Sequence, residues 1–137
     1  MAITKILARK GRLDAGIHYI LNGDKTDDRI LTAYLNCDPG MECRQMLDTK
    51  RELGKEDGVQ YYHIIQSFQP GEVTPEVALQ IAKEFAQEHL ADYEAVIGVH
   101  VDKEHIHAHT VFNSVNSITG EKYHSNAQSY YQQIRST

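Results

Sequence analysis

The stretch AVIGVHVDKEHIHAHTVFN occupies residues 95–113. Residues 95–101 are mostly apolar and β-branched, and residues 106–115 (IHAHTVFNSV) return to that composition, so each reads as a strand. Asp102-Lys103-Glu104 between them is a short turn, and the two runs form a β-hairpin. In that hairpin His107 and His109 are two apart, which puts both imidazoles on one face. His100 sits near the end of the partner strand and reaches the same spot across the ladder. A lone strand histidine is ordinarily a plain core or surface residue; three at this spacing beside two acids are not. Three converging imidazoles with open positions for water or substrate describe a catalytic metal centre rather than a closed structural one. Imidazole suits zinc, copper, iron and nickel, whereas manganese and magnesium want oxygen to complete the shell. Asp102 or Glu104 can orient an imidazole by accepting its other N–H. His105 shares the parity of His107 but lies at the turn, as a fourth ligand or a substrate contact. Asn113 shares the face of His109 and is expected to brace the site or bind substrate, a structural role being equally open.

The rest of the chain supplies strands and helices in alternation. Residues 3–8 read as a strand. Residues 13–21 place Leu13, Ile17, Ile20 and Leu21 on one helical face, and Asn22-Gly23 stops that helix. Residues 24–29 are a polar loop and 30–35 a second strand. Asp38-Pro39-Gly40 is a turn, and residues 41–53 have helical spacing that Gly54 ends. Residues 59–68 (VQYYHIIQSF) read as a strand in which His63 and Tyr61 share a face, near the site or in the core. Thr74 and Pro75 open a helix to about Leu90 as cap and first residue; Val77 stands where a capping box would need Glu or Gln. Residues 125–134 look like a further helix, cut short at Thr137. The order β-α-β-α-β-α-β-β-α predicts an α+β fold or a mixed sheet with helices packed on it.

With 137 residues the chain is one domain, long enough to hold a core without a disulfide. Cys37 and Cys43 are six apart with no second pair, which excludes a CxxC redox or zinc-ribbon site. No run is long and apolar enough for a membrane span or a signal core, and a cytoplasmic location is expected. The net charge of -5 is not that of a free-standing DNA-binding domain. Its distribution is uneven: Lys5, Arg9, Lys10 and Arg12 precede the first acid, Asp14, and form a basic end able to meet phosphate.

A metal centre gives a class of chemistry and no reaction. A tyrosine hydroxyl is a poor nucleophile until activated, and Tyr19, in the first helix, is one of eight tyrosines. Residues 100–113 fit HxDxxxxHxHxxxN at every defined position, and this segment resembles the metal motif of conjugative relaxases, mobilisation nucleases of the HUH endonuclease superfamily. GIHYILNGDKT around Tyr19 resembles their tyrosine motif, and HIIQSFQPGE, residues 63–72, the segment between. The resemblance covers nearly the whole chain in the family's order. It implies a central antiparallel sheet of about five strands, with the metal on one face and helices on the other. It implies a divalent ion, Mn or Mg with Zn as alternative, on His100, His107 and His109, acting on single-stranded DNA at a transfer origin. It implies attack by Tyr19 to give a 5′-phosphotyrosyl enzyme, with Asp102 orienting a histidine and accessory relaxosome proteins as partners; by position Asp102 or Glu104, or else a metal-bound hydroxide, is the candidate base for the Tyr19 proton.

Three readings compete. Replication initiators and single-strand transposases of the same superfamily place the tyrosine after the metal motif, where Tyr130 and Tyr131 stand. A three-histidine metalloenzyme acting on a small molecule would need neither DNA nor Tyr19, and a binding module with a structural metal would unfold without it. Residues 1–137 are expected to be the catalytic core at the N-terminal end of a longer relaxase, with poor, salt-sensitive DNA affinity on their own.

Overall fold

A computed structural model describes residues 3–123 of the protein. The elements run β1 (Ile3–Arg9), α1 (Leu13–Ile20), β2 (Thr32–Leu35), α2 (Glu42–Glu52), β3 (Tyr61–Ser67), α3 (Pro75–His89), β4 (Ala95–His100) and β5 (His107–Asn113). This is the expected order as far as it can be followed; the helix expected over residues 125–134 lies outside the described residues. The strands form one five-stranded antiparallel sheet in the order β1-β3-β5-β4-β2. The fold is α+β, as the sequence predicts.

Period-two alternation divides the sheet's apolar residues between two cores. Tyr62, Ile64, Ala95, Ile97, Val99, Ala108 and Phe112 face α3, which meets them with Ala78, Ala82, Phe85 and Ala86. α3 begins as its sequence requires, with the Thr74 hydroxyl accepting from the Val77 amide at 3.2 Å and Pro75 in the first turn. Tyr61, Val96 and Val111 face the other way, against Leu13, Ile17, Ile20 and Leu21 of α1 and its end and Met46 of α2. The helices therefore cover both faces. That corrects the expectation of helices opposite the histidines: α1 and α2 lie on the histidine face. The apolar stripe of α1 has to be buried on the sheet, and it finds that cover beside the histidines.

Two glycines permit this seating. A Cβ on Gly98 of β4 would lie 1.9 Å from the Ile20 carbonyl oxygen, so only hydrogen allows the end of α1 to rest on the strand. A Cβ on Gly16 would meet the Tyr61 ring at 2.6 Å. Cys37 and Cys43 are free thiols. Among the described residues no helix is long and apolar enough to cross a membrane.

Candidate active site

The hairpin register sets His100 directly opposite His107, and Gly98 opposite His109. On the other side of β5, β3 pairs Ile65 with His109 and His63 with Val111. His63, His100, His107 and His109 thus share the face that α1 crosses. Tyr19 comes from the last turn of α1. Its neighbours Ile17 and Ile20 are buried, while Tyr19 is 47% exposed and overhangs the histidines. Its ring centre lies 5.3 Å from that of His100, 5.7 Å from His109 and 6.4 Å from His63.

Burial disfavours the charged form of all four imidazoles, and His63, His100 and His109 are also anchored by hydrogen bonds. Burial, reinforced by Arg9 and His100, pushes His63 down to about 4. Burial, with repulsion from His100, His63 and His107, lowers His109 to about 2. Burial also lowers His100 and His107, the latter with help from the charge of His105. A neutral imidazole has one N–H and one lone pair. His100 Nε2 donates to the Ile20 carbonyl at 3.1 Å, so its lone pair is on Nδ1. His109 Nδ1 and His63 Nε2 share a hydrogen bond of 2.7 Å; with the proton on His109 Nδ1, the lone pair of that ring is on Nε2.

The acids lie differently from expectation. Asp102 takes the ammonium of Lys25 at 2.9 Å, and this bond is the main reason its carboxyl is held below the usual range. The imidazole anchors are His63 and the Ile20 carbonyl instead. Glu104 and His105 are exposed on the turn. Asn113 shares the parity of His109 but is four residues along, roughly 13 Å of strand away. Its side chain is buried in another network: it donates to the Met46 carbonyl at 3.1 Å and Glu94 at 3.0 Å, and it accepts from Lys50. Asn113 locks α2 to the sheet and does not reach the histidines.

Two adjoining grooves share Tyr19, Ile65 and His109. One carries Lys5, Lys25 and Lys103 with His100 and His107. The other carries Arg9, Lys10 and His63. Arg12 instead pairs with Asp14 and lines a separate groove against α2. Of the two places the sequence leaves open for His63, the structure takes the one at the site, and it adds Lys25 to the groove. The parity of His63 with Tyr61 is the signal for the first; Lys25 lies in the quoted segment around Tyr19, but a loop residue has no periodicity to say where it points.

Residues 19–137 match the family profile described as relaxase, MobA/VirD2-like, nuclease domain, and the match begins at the tyrosine over the histidines. The chain belongs to the MobA/VirD2-like relaxase family. A protein rlx of Staphylococcus aureus is 45% identical over 92 residues, 67% of this chain and 29% of that protein. Another Staphylococcus aureus protein rlx is 34% identical over 131 residues, 96% of this chain and 38% of its own length. The group II intron-interrupted relaxase LtrB of Lactococcus lactis subsp. cremoris (strain MG1363) is 44% identical over 73 residues, 52% of this chain and 13% of its own. The chain therefore spans well under half the length of these relatives. Relaxase nuclease domains generally depend on a divalent metal. The donor chemistry here fits one: His100 and His109 are neutral, each with one nitrogen anchored and the other bare, as metal-ligating histidines are. Their ring centres are 4.1 Å apart, while His107 is 6.1 Å from His109. Among the described residues no three side chains stand close enough to hold an ion as they are.

Proposed function

We propose that this relaxase domain nicks one strand of DNA at a transfer origin and keeps the cut end on Tyr19 as a 5′-phosphotyrosyl ester, for mobilisation of a plasmid or integrative element in the cytoplasm. The observation that carries this reading is an exposed tyrosine within 5.3 Å and 5.7 Å of two buried, neutral imidazoles, in a groove rimmed by lysines. Tyr19 Oη attacks the scissile phosphorus. The Oη–P bond forms as the P–O3′ bond breaks; the phenol gives up its proton and O3′ gains one. The product is a free 3′-hydroxyl, and its attack on the phosphotyrosine rejoins the strand, so no nucleotide cofactor is consumed.

His100, His107 and His109 are the residues that would hold the divalent cation, Mn²⁺ or Mg²⁺ with Zn²⁺ as alternative. Bound there, such an ion acts as a Lewis acid on the phosphate oxygens. His63 fixes the orientation of His109. Lys5, Arg9 and Lys10 track the strand's backbone through the two grooves. Residues 1–137 are the catalytic core of a longer protein, a reading supported by the share of its relatives' length that the chain spans. Accessory relaxosome proteins are its expected partners at the origin.

The test is a covalent-adduct assay with labelled single-stranded oligonucleotides from the element's transfer origin, with and without Mn²⁺. An adduct that needs metal and is lost in Tyr19→Phe and His107→Ala supports the assignment. An adduct that survives Tyr19→Phe moves the nucleophile elsewhere, Tyr130 and Tyr131 first, and refutes it.

A further inference from the structure

We propose that Lys25 is the residue that receives the scissile phosphate, and that Asp102 is the positioning residue that keeps its ammonium beside Tyr19. The proposal rests on the reading that a phosphodiester enters the groove at Tyr19, and it adds a binding residue to which the sequence reading assigns no role.

The main chain at Lys25 is fixed from both sides. Its amide donates to the Asn22 carbonyl at 3.1 Å, just past α1, and its carbonyl accepts from the Val101 amide at 2.7 Å, just past β4. The next residue, Thr26, is fully buried, with its hydroxyl donating to the Asn22 carbonyl at 2.9 Å. The loop therefore follows the end of α1 and the end of β4 together, as Tyr19 and His100 do. From this base the side chain runs past Tyr19. Its ammonium lies 5.8 Å from the ring centre and 2.9 Å from Asp102 Oδ2. It opens into the groove that holds His100, His107 and His109.

A stabilising ion pair does not account for this placement. The two side chains are 28% and 29% exposed, and a pair so open to water adds little to stability. Chemistry accounts for it better. An ammonium has three N–H donors, and the bond to Asp102 takes one. The others are free to meet non-bridging oxygens of a phosphate that Tyr19 attacks, with lysine acting as the compact point charge it is in other phosphate sites. Asp102 keeps the flexible four-carbon stem from swinging into solvent. The donor is then in place before charge builds on the phosphate, which is the condition for a large electrostatic effect on rate. Asp102 is for the same reason occupied, and poorly suited to take the phenolic proton.

The experiment uses the 137-residue chain with Lys25→Met and Lys25→Arg. The first measurement is the salt dependence of binding to a single-stranded origin oligonucleotide without metal. Loss of one phosphate contact lowers the slope of log affinity against log salt by about 0.7. Lys25→Met should show that fall and Lys25→Arg should restore the slope. The second is the rate of adduct formation with Mn²⁺. Lys25→Met should lose on the order of 10²-fold in the maximal rate, with a smaller change in half-saturating oligonucleotide. Wild-type slope and rate in Lys25→Met overturn the proposal. So does a loss of rate that tracks a lower melting temperature with the salt slope unchanged, since a structural role predicts that pattern. If the wild-type chain forms no adduct, the nicking reading falls, and the salt slopes still decide whether Lys25 contacts phosphate.

Discussion

Gly98→Ala is the most direct test of how the site is assembled. Gly98 pairs with Thr32 on one side and His109 on the other, and its added methyl would sit 1.9 Å from the Ile20 carbonyl oxygen and 2.9 Å from that carbonyl's carbon. Comfortable contact is about 3.5 Å. Strand and helix end must therefore part by roughly 1.5 Å, and neither is a flexible side-chain tip that can swing aside. Overpacking costs about 1–3 kcal/mol, and a clash with backbone belongs at the top of that range, about 3 kcal/mol. In a domain of this size that is a fall of about 12 °C in melting temperature. The same carbonyl anchors His100 and lies one residue from Tyr19, so adduct formation should fall on the order of 10²-fold at temperatures where the variant is still folded. Two other glycines calibrate the result. Gly16→Ala meets the far end of the Tyr61 ring, which can turn, and should lose about 1 kcal/mol. Gly11→Ala meets nothing within 4 Å and should stay within about 0.5 kcal/mol of wild type. Calorimetric melts of the three variants give the answer. A Gly98→Ala melt close to that of Gly11→Ala would mean α1 is not seated on β4 as described.

His63→Phe removes the partner of His109 and should weaken Mn²⁺ binding about 10- to 100-fold by titration calorimetry, whereas His63→Gln, which can still accept from Nδ1, should lose less; equal affinities would dismiss His63 as an anchor. Lys50→Met leaves Asn113, Ser114 and the Gln60 carbonyl short of a donor in the interior and should cost about 3 kcal/mol in urea unfolding. Burial, helped by Lys122, lowers Lys50 to about 8 from its ordinary 10.5, so between those values the unfolded chain binds the proton more readily and stability rises with pH. The stability of wild type relative to Lys50→Met should accordingly be flat below pH 8 and climb from pH 8 toward 10; a decline over that range would contradict the assignment. Thr74→Ala removes the cap of α3 and should cost about 1 kcal/mol without changing adduct formation, since α3 covers the face away from the histidines.

The hairpin shows what sequence pattern can and cannot carry. Alternation in residues 106–115 places His107 and His109 on one face, and antiparallel pairing across a short turn brings His100 opposite, as the register has it. The choice of face for each helix is a different matter. Val96 and Val111 on one side and Ile97 and Phe112 on the other are equally apolar. The strands thus lack the polar face that would have marked the side open to solvent. Asn113 illustrates a second limit. Parity fixes the face a strand residue takes, but its height along the strand decides which neighbours it meets, and there Glu94 and Lys50 are waiting. Lys25 illustrates a third. It reaches Asp102 across 77 positions from a loop without period, so only the folded chain brings them together.

A chain at -5 is a poor candidate to hold a polyanion if charge is averaged over its surface. The two grooves at Tyr19 are lined by Lys5, Arg9, Lys10, Lys25 and Lys103, with Asp102 as their carboxylate, itself engaged by Lys25. The grooves are thus positive and the remaining surface carries more than the whole of the negative balance. Under the proposed function this division does two things at once. Screening at physiological salt confines each field to about 8 Å, so a strand threaded past Tyr19 meets the groove cations, while stray duplex meets the acidic remainder and is repelled. Affinity from so few cations is modest and falls quickly with salt. The domain is then arranged to do chemistry on a strand presented to it, and the grip belongs to whatever presents the strand. Adding cations away from the grooves, for example by Glu84→Lys and Glu88→Lys on α3, should raise binding to any oligonucleotide without raising the rate of adduct formation at saturation; a matching rise in that rate would place the strand outside the grooves.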